Sequence, residues 1–339
     1  MPVITWSQIE SFLVEKWKLI LGGSLTGLVL FIFFRLFATV ASRTEGLQFL
    51  SSRPSQVLLI GGNSAKARSS IEFYYPHDIG NNHIALAQLP TPRFGHVAAV
   101  LDGGLIVTAG YSKEKGGFLS STEVLHLDEN SWSAGSSLIE ARIFASAAVG
   151  WAGLAVCGGS AEQHLRSCEI LDDVTKRWIR FPALRKSRAA FAMVAVEGIL
   201  FAIGGFDGVH RLNSVEKLSE QSEEWLEVQP MKHRRAGLAC AVSRRHVYCC
   251  GGVQYTMTTL SICEKFDPSR TRWTDSPPMS TDRAAFVMVA FENSLFVFSG
   301  WNSKTGLVNS TEVFDVRAGK WSGAGKILVP RWSFAAVVL

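Results

Sequence analysis

The chain repeats itself at a period just under fifty residues, and nothing else in it restricts the fold as strongly. A small residue followed by Gly occurs at Gly61-Gly62, Ala109-Gly110, Gly158-Gly159, Gly204-Gly205, Gly251-Gly252 and Ser299-Gly300, with second members 48, 49, 46, 47 and 48 residues apart. A Glu follows each doublet, at Glu72, Glu123, Glu169, Glu216, Glu264 and Glu312. Nine residues after the last five of these come Trp132, Trp178, Trp225, Trp273 and Trp321, whereas the first repeat has Asn81 there. Arg93, Arg142, Arg188, Arg235, Arg283 and Arg331 complete the pattern. Marks held at constant offsets over six units define a stack of like modules, each of which buries its apolar surface only against its neighbours.

Between the marks, each unit holds four short apolar runs separated by turn residues, the signature of a four-stranded antiparallel blade. In one unit they are Ala189 to Val196, Leu200 to Ile203, Ser214 to Leu218 and Trp225 to Val228. The first run is rich in small residues, as in the Ala-Ala-Val sequences after His96-Val97, Ser146 and Phe334. Small side chains suit strands that converge on a central axis, and a Trp on the outermost run suits the widening gap between blades. The chain ends after only the Arg and first run of a unit, and the repeated body opens at Val57 with a second run. The two ends therefore make one blade, the segment Ser333 to Leu339 pairing with Val57 to Ile60 and removing the open edges. The expected fold is all-β: a six-bladed propeller closed by the C-terminal strand and preceded by one hydrophobic helix. Its split blade is 57–92 plus 331–339, and its whole blades are 93–141, 142–187, 188–234, 235–282 and 283–330.

Arg, a Gly doublet, Glu, an aromatic and Trp in a unit of this length resemble the kelch repeat. The sequence departs from that pattern at Ala109 and Ser299 in the doublets, at Asn81, and at Leu125, Leu171 and Leu218 where the aromatic stands. The resemblance implies a propeller whose loop face binds peptides, as in kelch-like substrate adaptors. It also admits propeller enzymes of the copper radical oxidase or sialic acid epimerase type. The enzyme reading has little chemistry behind it, because the five tyrosines, Tyr74, Tyr75, Tyr111, Tyr248 and Tyr255, accompany no clear set of His ligands. His164 and His210, each five residues after a doublet in adjacent units, are two imidazoles where a tight metal site needs three or four ligands. No cofactor, metal or small-molecule substrate is expected.

From Leu19 to Phe34 the chain carries no charge, and the apolar run continues past Arg35 to Ala41. Residues 19–41 are long enough to cross a bilayer, which takes about 20 helical residues. Residues 1–18 read as a helical start, with Ser7 and Glu10 as a capping box, and 42–56 as a polar linker. The segment before the span is too short for a dimerisation domain of about 100 residues, which disfavours the usual ligase-adaptor architecture. Lys16 and Lys18 on one side against Arg35, Arg43 and Arg53 on the other lean slightly toward a cytosolic propeller. On that reading the sequon Asn309-Ser310-Thr311 is unmodified and the cysteines are reduced. Cys157, Cys168, Cys250 and Cys263 then serve as small apolar fillers, equivalent to Ile60, Ile71, Ile203 and Val215 elsewhere. The alternative is a lumenal or secreted propeller with Cys157–Cys168 and Cys250–Cys263 bridges.

A residue present in every blade serves every blade, so function is sought where the repeats differ, in the loops. The loops after each doublet and before each Arg open on one face. Tyr111, Phe206 and Trp301 follow their doublets directly, and Arg166, Arg185, Arg211 and Arg234 lie on the same set of loops. Flat rings beside forked cationic donors suit an acidic, partly extended protein segment. The opposite face carries Asp102, Asp128, Glu129, Asp172, Asp173, Glu223 and Glu224. A net charge of +5 with no basic tract argues against nucleic acid as a partner.

Overall fold

A computed structural model of the chain describes residues 56–339 apart from 65, 79–82 and 85–86, with the backbone alone at 83–84. The expected helical start, the span at 19–41 and the linker up to residue 55 lie outside the described residues. The chain divides after Pro54, and the unit from Ser55 to Leu339 contains, among the described residues, six four-stranded antiparallel sheets.

One blade shows how the sequence makes them all. Its strands are Ala192–Val196, Ile199–Ile203, Val215–Leu218 and Leu226–Val228, in that order from the axis outward. The second strand, Ile199–Ile203, is buried almost throughout, because another sheet covers each of its faces; an uninterrupted apolar run is the sequence form of that position. The fourth strand is the exposed edge. Apolar clusters fill the gaps between sheets, such as the one joining Phe201, Ile203 and Val215 to Val247, Phe266 and Trp273 of the next blade.

The ring closes as the two chain ends require. Ala335–Val338 is the inner strand of the first blade, pairing antiparallel with Val57–Ile60 from Val57 opposite Val338 to Ile60 opposite Ala335. Tyr74 from this blade packs its ring 4.8 Å from Phe298 of the last whole blade and donates its hydroxyl to the Ala324 carbonyl at 2.7 Å.

The recurring residues hold neighbouring blades together. Every one of the six Arg side chains is fully buried and ion-paired to the Glu of its own blade, for example Arg142 to Glu169 at 2.6 Å and Arg331 to Glu72 at 2.8 Å. The same guanidinium donates to the carbonyl of the first doublet residue, as Arg188 does to Gly204 at 2.8 Å. Across the blade gap the Glu accepts backbone N–H groups from the preceding blade: Glu216 takes those of Arg185 and Lys186, and Glu312 those of Ser280 and Thr281. Four of the five Trp side chains work in the same direction, bonding across the gap to the preceding blade, while Trp132 Nε1 has no partner. Trp225 Nε1 donates to the Pro182 carbonyl at 2.8 Å and Trp273 Nε1 to that of Gln229 at 2.9 Å, both in the preceding blade. Burying a charge is expensive unless it is paired; each guanidinium is paired and bonds backbone carbonyls as well, although the Nε atoms of Arg188, Arg235 and Arg283 have no partner.

The doublets also explain their own exceptions. Their first residues lie at φ between +53° and +65°, Ala109 and Ser299 included, a left-handed conformation that a small side chain adopts at modest cost. Their second residues lie at φ between +94° and +113°, outside that well, and only Gly occurs there.

The cysteines correct the sequence reading. They are not small apolar fillers: Cys157–Cys168, Cys250–Cys263 and Cys240–Cys249 are disulfides. In each pair the residues face one another directly across adjacent strands, so the bond forms within a sheet and crosses no blade gap.

Candidate functional site

The doublet face is built as concentric rings around the axis. Two residues after each recurring Arg come Gly95, Phe144, Ala190, Gly237, Ala285 and Ser333, all at positive φ. Their backbones form a closed circle of hydrogen bonds in which each N–H donates to the carbonyl of its counterpart in the preceding blade. Phe144 donates to Gly95, Ala190 to Phe144, Gly237 to Ala190, Ala285 to Gly237, Ser333 to Ala285 and Gly95 to Ser333, all at 2.7–2.9 Å. This circle is the rigid floor of the face. Outside it, the residue after each doublet pairs with the residue after an Arg: Tyr111 with Phe94, Ser160 with Ile143, Phe206 with Ala189, Val253 with Ala236 and Trp301 with Ala284. The side chain that follows each doublet is thus presented from an ordered backbone rather than a loose loop.

On this floor the structure brings together three of the seven residues expected to bind a partner. Tyr111, Phe206 and Arg211 line a pocket of about 500 Å³ with Phe94, Phe118, Phe144 and His164. Tyr111 lies 5.6 Å from both Phe94 and Phe118, and His164 meets the edge of Phe206 at 5.2 Å. The Arg211 guanidinium rests over Phe206 at 5.7 Å and Tyr255 at 5.8 Å, and it donates to the Met257 sulfur at 2.9 Å. Trp301 lines a second depression of about 420 Å³ with Trp332, Phe286 and Phe334, and Phe144, Ala190 and Ala236 border both.

The other three arginines stand apart from these pockets. Arg185 points outward to Glu224 at 3.8 Å, and its neighbour Lys186 bonds Glu227 at 2.8 Å, both acids lying in the following blade. Lys232 is engaged by Asp275 in the same way at 2.6 Å. Arg166 and Arg234 are exposed and border neither depression. Arg185, Lys186 and Lys232 are thereby engaged between blades, while Arg211 is the guanidinium that lines the pocket. On the opposite face Lys176 bridges Asp102 and Asp173 at 2.9 and 2.7 Å, so part of the acidic charge there is also paired.

Two features of the face carried no signal strong enough to be read in the sequence. Tyr111–Ser112 with Gly117–Phe118, and Trp301–Asn302 with Gly306–Leu307, are miniature hairpins that raise the rim in two blades. His96 occupies the place of Phe191, Phe286 and Phe334 and lines the second depression. Its ring nitrogens have no hydrogen-bond partner. Burial, and then the nearby Arg93 charge, push its imidazole down to about 3; the Ile60 backbone lies close enough to offset this only in part. It is a neutral wall of the site and does not exchange protons near neutrality. Among the described residues no group of three or more His, Cys, Asp or Glu is arranged to hold a metal ion. His164 is committed to Phe206, and His210 lies 4.0 Å from Asp207.

Comparison with known proteins agrees with the architecture. Among solved structures, that of YjhT superposes with a TM-score of 0.69 at 16% identity, over 80% of this chain and 95% of its own, a likeness of fold. No curated protein matches the sequence significantly. The Kelch motif matches four stretches, residues 92–139, 187–232, 234–280 and 282–326, together more than half of the chain. These are four of the whole blades that the buried Arg–Glu pairs define, and the chain belongs to the kelch-repeat family.

Proposed function

We propose that this chain is a membrane-tethered interaction module that acts by binding, without catalysis, and that its doublet face holds an acidic, partly extended protein segment. The observation that carries the reading is the aromatic pocket with Arg211 inside it. Its guanidinium is already ordered between two rings, so little side-chain freedom is left to lose on binding. Its present acceptor is a thioether, a weak one, which a carboxylate would displace with a charge-assisted bond. Phe94, Tyr111, Phe118 and Phe206 supply the apolar anchor sites that interface hot spots favour. The tether is the uncharged stretch from Leu19 to Phe34 with its continuation to Ala41. Binding of proteins is also the usual role of kelch propellers.

Panning the full chain against a displayed library of random peptides tests this. Enriched peptides should combine Asp or Glu with an apolar or aromatic residue, and raising salt should weaken them as rim charges are screened over about 8–10 Å. Affinity should fall more than tenfold when Phe206→Ala and Arg211→Ala are combined. Enrichment of neutral or basic peptides, or affinity indifferent to both substitutions, would contradict the proposal.

A further inference from the structure

We propose that the propeller resides on the non-cytosolic side of its membrane, with its six cysteines bonded in three cross-strand pairs and an N-linked glycan on Asn309. The inference concerns where the module works and how it is modified, and it holds whatever the doublet face binds.

The cysteine placement carries the compartment. Cys157 faces Cys168 and Cys250 faces Cys263 at one equivalent site in two blades. The same facing site holds Ile60 and Ile71, Thr108 and Thr122, Ile203 and Val215, and Phe298 and Thr311 in the other four. Cysteine occurs there as both partners or as neither. Cys240 and Cys249 follow the same rule at a second site, where the other blades pair residues such as Ala147 with Val156 and Met193 with Ala202. The chain has six cysteines, and none is left free. A residue kept merely as a small hydrophobe would appear singly in some blade; a both-or-neither pattern is what a requirement for the bond produces. A propeller of this size has ample core without such staples, and disulfides persist in oxidising compartments while cytosolic thiols stay reduced. The weak charge bias around residues 19–41 is a poorer guide, and Lys16 and Lys18 before the span are compatible with a cytosolic N-terminus.

Once the chain is placed there, Asn309-Ser310-Thr311 becomes a working acceptor. Asn309 is exposed, in the short connection between Gly306–Leu307 and Ser310–Asp315. Thr311 is buried in the folded strand, but transfer to a nascent chain precedes that burial, and only the Asn must remain open afterwards. The Asn309 amide nitrogen would attack the anomeric carbon of a lipid-diphosphate-linked oligosaccharide: the C–N glycosidic bond forms, the bond from that carbon to the diphosphate oxygen breaks, the lipid diphosphate leaves with the electron pair, and the amide gives up one N–H proton.

The full chain, expressed in eukaryotic cells, tests both parts. Glycosidase treatment should increase its gel mobility by one glycan, Asn309→Gln should remove that shift, and alkylation without reductant should label none of the six cysteines. Asp173→Asn writes a second acceptor, with Val174 and Thr175, on an exposed turn of the opposite face, where Asp173 is 75% exposed. This reports the compartment independently. Glycosylation of Asp173→Asn in the Asn309→Gln background, with no glycan on the natural chain, would overturn the Asn309 assignment alone. No glycan on either site together with six readily alkylated thiols would overturn the whole proposal.

Discussion

The layer of recurring residues and the rim above it are made from neighbouring stretches of chain, yet they behave as opposites. In the layer, Arg, Glu and Trp appear in blade after blade; every Arg and Glu is buried, as are three of the five Trp, and they bond to one another and to the preceding blade. On the rim the residue after the doublet is Asn63, Tyr111, Ser160, Phe206, Val253 or Trp301, different each time and set on a backbone that is the same each time. The contrast separates two kinds of charged residue that composition cannot distinguish. Arg188 and Arg211 are both arginines on the same blade; one is a structural cation closed off from water, the other is held over two rings in the lining of a pocket. Substitutions should therefore divide cleanly into those that cost stability and those that cost binding.

The largest stability effect should come from removing Arg331 to Leu339. That deletion takes away the inner strand of the first blade, one of the six buried Arg–Glu pairs and one link of the backbone circle at once. It should cost several kcal/mol out of a total of about 5–15 and expose two strand edges. Size-exclusion chromatography should show aggregate; a monomer that melts cooperatively would mean the ring does not depend on this closure.

Next in size is the buried pair itself. Arg188→Leu leaves Glu216 charged and buried, and should cost about 3–5 kcal/mol in chemical denaturation. Pairing it with Glu216→Leu should recover part of the loss, since no uncompensated charge then remains. A single substitution costing less than about 1 kcal/mol would remove the distinction drawn between layer and rim.

His96 gives a smaller, pH-dependent effect. Its folded imidazole is depressed to about 3 from the ordinary 6.5, so the fold holds it neutral while the unfolded chain takes up a proton. Its contribution is complete above about pH 6.5 and is lost as pH falls from there toward 3. Between pH 7 and pH 5 this amounts to about 2 kcal/mol. His96→Leu, which installs the residue found at the equivalent Leu238, should be less sensitive to acid by that amount. Identical pH profiles for the two proteins would show that the imidazole is not held neutral.

The smallest stability changes belong to the rim. Arg211→Ala and Trp301→Ala should each alter stability by about 1 kcal/mol or less, as expected where no buried partner is orphaned. A much larger loss on melting would assign these residues to the structural layer.

How far the sequence disclosed this division depended on repetition. Six blades, the split first blade and the structural role of Arg, Glu and Trp were legible because constant offsets report constant geometry. The circle of left-handed residues was not legible, because four of its members are Phe144, Ala190, Ala285 and Ser333, and nothing in those residue types announces positive φ. The two miniature hairpins were missed because two-residue strands are too short to show alternation. Arg185 was read as free to meet a ligand because its partner Glu224 lies in the following blade, near in space and distant in pattern. Cys240 and Cys249 escaped notice since they lack counterparts in another blade, although their facing positions on adjacent strands were there to be counted.

The central claim is that function resides on the doublet face rather than in the repeated layer or on the opposite end. Hydrogen exchange of the full chain, measured with and without an acidic peptide selected against it, addresses this directly. The account predicts new protection in 110–118, 143–144 and 206–211, the segments that line the Arg211 pocket, with the turns around Asp102, Asp172 to Lys176 and Glu223 unchanged. Protection confined to those turns would place the binding surface at the other end of the disc.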